Sequence, residues 1–234
     1  MTRDQLLKEC LPDKVCMNPL GRCADELTPE EFEKSYEVFF ESILEINQAD
    51  ISGFRGYGEL DDDTHQPEAQ TFREFIEGTF DNEQEGYWHH WQELFETGMM
   101  TREFFEKYYR KMLEYSPYCE DKRYLANNNT FFVNMVYTGE KVGFPDWTRT
   151  AITDFLVDFA IMDLNKPYLL IPEKLYQYAK EKDWKIPNFK ERYLCMAYLK
   201  GLSCLMWHAS IDDLESCTAI TQFIEELEER IMAL

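Results

Sequence analysis

Arg123-Tyr-Leu-Ala-Asn-Asn-Asn-Thr-Phe-Phe-Val-Asn-Met-Val-Tyr-Thr-Gly-Glu-Lys-Val-Gly-Phe-Pro-Asp146-Trp147 is the stretch where helical periodicity gives way to sheet pattern. Thr130 to Tyr137 is β-branched and aromatic, Gly139 supplies a turn, and Lys141 to Asp146 returns, so the residues predict a β-hairpin. Around it stand Asn127, Asn128, Asn129, Asn134 and Asp146, an unusual density of side-chain oxygens. Taken singly, the asparagines read as an Asx-rich turn entering a strand and Asp146 as an edge residue before a helix. Taken together they form an ordered set.

Outward from the hairpin the chain reads as helix. Thr28-Pro29-Glu30-Glu31 is a capping box with proline at the first helical position, and Phe32, Tyr36, Phe39, Phe40, Ile43, Leu44 and Ile46 carry an apolar face to about Gln48. The glycine-containing stretch 51–68 holds Phe54 and Tyr57, so it reads as an ordered loop, with His65 a solvated turn residue. Helices are predicted at about 69–79, 86–98 and 101–115. On the second of these, His89 and His90 cannot share one helical face, so a metal site from that pair alone is not expected. After the hairpin, segments near 150–163, 171–182, 188–207 and 211–232 keep the 3.6-residue period, the last with its glutamates at 225–229 facing water. The expectation is a mainly α fold with a small β-hairpin. It divides into a short amino-terminal segment, 1–27, and one helical domain, 28–234.

With 44% hydrophobic residues in 234, the chain can bury a full core, which excludes whole-chain disorder. Charge is the first fact bearing on partners: 45 acidic against 24 basic side chains give −21. Such a field repels phosphate backbones and anionic lipid, so neither nucleic acid nor a membrane is expected as partner; it attracts cationic small molecules or a basic protein. Seven cysteines, an odd number with no Cys-x-x-Cys pair, argue against a disulfide framework, and Cys10, Cys16 and Cys23 are too widely spaced for a zinc knuckle. Without an apolar leader in MTRDQLLKECLPDK, the reducing cytoplasm is the expected location.

The ordered set around the hairpin resembles the aminoglycoside phosphotransferase family, a kinase-like fold, and within it the carboxy-terminal lobe of the hygromycin B type. That family carries His-x-Asp, four residues, an Asn with an apolar pair, a hairpin, and Ile-Asp-Trp. Here the same register holds Asn127-Asn128-Asn129, then Asn134-Met135-Val136, Gly139 in the turn, and Pro145-Asp146-Trp147. Asp154 stands where the family has the Asp of a Gly-Asp-Pro turn, and Asp158-Phe159-Ala160 matches its acidic-apolar-Ala triplet. Ala49 to Phe54 with Gly56-Tyr57-Gly58 resembles that type's Gly-rich loop, and Thr71 to Ile76 its next helix start, so the resemblance runs over about residues 28–217.

The resemblance implies phosphoryl transfer in which protein groups position substrates and neutralise charge. Asn134 and Asp146 would take the magnesium-ligand positions at nucleotide phosphates, while Asp154 and Asp158 would be structural, bracing the loop from beneath. Two departures weigh against catalysis. Asn129 occupies the base position, where an amide accepts no proton and general-base assistance is worth about 10²–10⁴-fold, and Asn127 replaces the His. The family's nucleotide lobe, about a hundred residues with a phosphate-binding Lys, is expected before residue 28, and no strand pair with a Gly-rich phosphate loop is readable in 1–27. The expected function is therefore a degenerate, non-catalytic substrate lobe, binding a cationic small molecule or a partner protein and needing no cofactor alone. The alternative is an ATP- and magnesium-dependent phosphotransferase whose nucleotide lobe comes from another chain. The face left by the lobe also invites self-association.

Overall fold

A computed structural model describes residues 3–17 and 19–234. The chain enters through helix α1 (Arg3–Cys10), within a stretch whose sequence supports no clear element, and continues to strand β1 (Arg22–Cys23). Leu7 and Ala24 are fully buried and join the same core as the rest of the chain. The capping box forms as its spacing requires: Thr28 Oγ1 accepts the Glu31 amide at 3.2 Å and Glu31 Oε2 accepts the Thr28 amide at 2.8 Å. The expected single helix breaks in two, α2 (Pro29–Glu33) and α3 (Tyr36–Ile46). Ser35 is the reason, since its hydroxyl bonds back to the Glu31 carbonyl at 2.9 Å while its backbone leaves the helical region.

Strand β2 (Gly58–Glu59) follows the glycine-containing loop, then α4 (Phe72–Thr79), opened by a second capping box at Thr71 and Glu74. The stretch 86–98 is not one α-helix but two 3₁₀ pieces, Gly86–Trp88 and Trp91–Thr97, interrupted at His90, whose φ is 58°. Next come α5 (Arg102–Tyr115) and strand β3 (Tyr124–Ala126).

The expected hairpin is present but shorter. Its strands are β4 (Val136–Tyr137) and β5 (Val142–Gly143), with Gly139 at φ 97° in the connection. Phe132–Asn134 is a 3₁₀ turn instead of strand, because the Phe132 amide is taken by Asn165 Oδ1 at 2.9 Å. β1 pairs with β4, giving an antiparallel sheet of order β1-β4-β5.

A second sheet, which the sequence reading did not anticipate, has order β2-β6-β3, all antiparallel. Its middle strand β6 (Ala151–Thr153) occupies what reads as the start of a helix, and α6 (Leu156–Asn165) begins only after Asp154 Oδ1 takes the Leu156 amide at 3.0 Å. The chain ends in α7 (Ile171–Glu181), α8 (Phe189–Ser210) and α9 (Leu214–Met232).

Helix α8 forms the centre because it is apolar nearly all round: Tyr193 to Leu199 are buried without interruption. α5, α6 and α9 pack against it, and Gly201 lets α9 approach so closely that an added Cβ would lie 2.9 Å from Ile224 Cδ1. Each large side chain buried here contributes about 1.5–3 kcal/mol relative to exposure. No helix among the described residues is long and apolar enough to cross a membrane. The seven cysteines are free thiols.

Candidate functional site

The second sheet builds the site. Register Ala126↔Ala151 carries β3 to its end beside β6, and the next residues, Asn127 to Thr130, turn over the start of α6. Asn128 makes that turn at φ 60°, a left-handed conformation that Asn tolerates better than most residues.

Asp158, one turn into α6 and fully buried, fastens the loop from below. Its Oδ2 accepts the Asn127 amide at 3.1 Å and its Oδ1 the Asn128 amide at 2.7 Å. Its own carbonyl accepts the Thr130 hydroxyl at 2.6 Å. Burial pushes the Asp158 carboxyl up to about 7, while the two backbone amides and the charge of Lys200 pull against that rise.

The Asp154 carboxylate, also fully buried, grips Arg192 of α8 in a two-pronged pair, Nε to Oδ2 at 2.6 Å and Nη2 to Oδ1 at 3.0 Å. Its position joins α6 to α8, and Asp158 alone of the two braces the asparagine loop directly.

Above the loop, Asn127, Asn129, Asn134 and Asp146 meet in one hydrogen-bonded group. Asn129 Nδ2 donates to Asp146 Oδ2 at 2.8 Å, and Asn134 Nδ2 donates to Asn129 Oδ1 at 2.9 Å. Asn127 Nδ2 reaches the Asp146 carbonyl at 2.8 Å, and its Oδ1 accepts the Asn129 amide at 3.2 Å. The other Asp146 oxygen accepts both the amide and the hydroxyl of Thr148, at 2.9 and 2.7 Å. Asn127 is buried, whereas Asn129, Asn134 and Asp146 are half-buried and reachable from solvent.

In donor chemistry the Asp146 carboxylate and the Asn134 carbonyl oxygen suit a hard dication such as magnesium. Both carboxylate oxygens are engaged within the chain, Oδ1 by two donors and Oδ2 by one, which leaves Oδ2 the acceptor site open to such an ion. Asn129, at the centre, offers an amide that donates to one neighbour and accepts from another; it holds no proton-accepting carboxylate.

Residues outside the motif complete the frame. Asn128 Nδ2 donates to Glu59 Oε1 at 3.1 Å and to the Arg149 carbonyl at 2.8 Å, and Lys200 Nζ donates to Asn128 Oδ1 at 3.0 Å. Burial lowers the pKa of the Lys200 ammonium. Lys200 interrupts the apolar run Tyr193 to Leu202 of α8, and a lone cation in such a run was the available signal. Glu59 and Arg149, paired at 2.8 Å, carry no comparable mark in the sequence.

Helices around two small sheets, with an asparagine loop clamped from beneath by a buried carboxylate, make the carboxy-terminal lobe of a kinase-like phosphotransferase fold. The aminoglycoside phosphotransferase APH(4)-Ia, in a thermostable mutant's ternary complex with AMP-PNP and hygromycin B, superposes with a TM-score of 0.71 at 16% identity, over 91% of this chain and 70% of that one. The crystal structure of APH(4)-Ia gives 0.63 at 17%, over 88% and 69%, and the thermostable mutant's apo form 0.62 at 19%, over 88% and 70%. At these identities the likeness is one of fold. No protein-family model matches the sequence, and no curated protein matches it.

Proposed function

We infer that this chain is a substrate-binding lobe of the aminoglycoside phosphotransferase type that holds a cationic amino sugar without transferring phosphate to it. The observation that carries the reading is Asn129. In the base position of the family it presents an amide whose two polar atoms are spent on Asp146 and Asn134. An amide there cannot take the proton of a sugar hydroxyl. A net charge of −21 supports the choice of a cationic ligand, because the field concentrates amines near the surface. Hygromycin B, bound by the structural relative, is the natural first probe.

One observation favours a second reading. Asn134 and Asp146 carry oxygens suited to magnesium and both hydrogen-bond to Asn129, a donor pair that a phosphotransferase completed by a nucleotide lobe from another chain would use. When bound, the magnesium nucleotide would supply the phosphoryl group and its charge neutralisation. Asn134 and Asp146 would then hold the ion, Asn127 would keep Asp146 in place through its carbonyl, and Asp158 would keep the loop in register.

Calorimetric and thermal-shift titration of the purified chain with hygromycin B and with Mg-ATP, at low and moderate salt, separates the two. Stabilisation by the amino sugar with no response to Mg-ATP is the expected result. Micromolar Mg-ATP binding that Asp146→Ala abolishes would replace it with the enzyme reading.

A further inference from the structure

Far along the chain from the asparagine loop, the break between the two 3₁₀ pieces places two imidazoles and a carboxylate together. Glu83, His89 and His90 each bring one ligating atom to within 4.8 Å of the others. On an α-helix, the element expected over 86–98, adjacent residues diverge by about 100° and the two imidazoles would point apart. His90 instead takes φ 58°, and the turn folds its ring onto that of His89 with centroids 3.8 Å apart and planes 25° from parallel.

This geometry is built into the loop. Asn82 fixes both ends of the turn: its carbonyl accepts the His90 amide at 2.8 Å and its Oδ1 accepts the Gln92 amide at 3.1 Å. The same side chain donates to Glu83 Oε1 at 2.9 Å, which leaves Oε2 facing His90 Nε2 at 3.6 Å. Trp91, next to His90, is buried and anchored through its indole N–H to the Phe80 carbonyl at 3.2 Å. On the other edge of the ring, Glu93 Oε1 lies 4.0 Å from His90 Nδ1.

We propose that Glu83, His89 and His90 form a surface site for a first-row transition-metal dication, with zinc the working probe. Two imidazoles and one carboxylate are a borderline donor set that suits zinc, nickel or copper and is poor for magnesium or calcium. Zinc holds such donors at about 2.0–2.2 Å, so ligand atoms lie about 3.3–3.5 Å from one another and the cluster contracts by about 1.5 Å at most. All three side chains are exposed. Their exposure leaves coordination positions for water or for a donor from another molecule. The acidic surface raises the local concentration of any dication.

The test is titration of the untagged full chain with ZnCl₂ by calorimetry, followed by visible absorption of the Co²⁺ form. One equivalent is expected, with imidazole–carboxylate d–d bands and no thiolate charge-transfer band. His89→Ala and Glu83→Gln are each expected to weaken binding at least tenfold, as is His90→Asn, which keeps a residue tolerant of left-handed backbone. Circular dichroism confirms that each variant is folded. No zinc binding by the parent chain overturns the proposal, as does binding that all three variants leave unchanged or a thiolate signature that assigns the metal to cysteine.

Discussion

Asn129 and Asp146 are hydrogen-bonded to each other, Nδ2 to Oδ2 at 2.8 Å, so the asparagine loop is tied directly to the residue that follows the hairpin. The amide neutralises nothing; it ties down the carboxylate.

Asn129→Asp sets two carboxylates at hydrogen-bond distance. Repulsion and loss of the amide donor are expected to cost about 1–3 kcal/mol at pH 7. Millimolar magnesium should recover most of that loss by bridging the pair. Thermal melts with and without MgCl₂ check this, and a variant melting at the parent's temperature in both would show that the pair is not coupled.

Asp158→Ala removes the acceptor of two backbone amides at the turn. Leaving both N–H groups buried and unpaired is expected to cost about 2–5 kcal/mol, and to speed hydrogen exchange at Asn127 and Asn128 well beyond exchange in α9. Equal acceleration throughout the chain would mean that Asp158 supports the fold and not the loop in particular.

Breaking the Asp154–Arg192 pair by Arg192→Met strands a carboxylate that is wholly buried. The expected destabilisation is about 3–5 kcal/mol, whereas the double variant Asp154→Leu with Arg192→Met recovers much of it. Urea denaturation of the single and double variants measures the difference; a double variant no better than the single would contradict the account.

Asp163, fully buried in α6, pairs with Arg230 of α9 at 2.5 Å, and burial pushes its carboxyl up to about 7 despite that neighbour. A carboxyl raised in the folded state binds its proton more tightly there than in the unfolded chain. Its contribution is therefore complete below the unfolded value of about 3.9 and is lost as pH rises to about 7. Asp158 acts in the same direction. Stability measured in urea is expected to fall between pH 5 and pH 7.5, and to fall less steeply in Asp163→Asn. Identical slopes in variant and parent would remove Asp163 from the explanation.

Much of this molecule was legible from local chemistry. Thr28 and Glu31 announce a helix start because a capping box depends on four adjacent residues. The helices over 101–115, 171–182 and 188–207 follow from 3.6-residue periodicity, while the central place of the last emerges only from its burial on every side. Asn127, Asn129, Asn134 and Asp146 could be gathered as one set because their order and spacing resemble a family motif, and spacing is a sequence property.

What decided the rest was contact between residues distant in sequence. Strand β6 reads as helix until β2 and β3 arrive on either side to take its amides and carbonyls. Phe132 reads as strand until Asn165 claims its N–H. Lys200 becomes part of the site only because α8 passes beneath Asn128, and His89 and His90 come together only because Asn82 closes a left-handed turn around them. Caps, helical faces and motif spacing are set within a few residues, so the sequence by itself determined them. Short strands, buried ion partners and convergent ligands draw their free energy from long-range pairs, which no local pattern encodes and only the tertiary structure could decide.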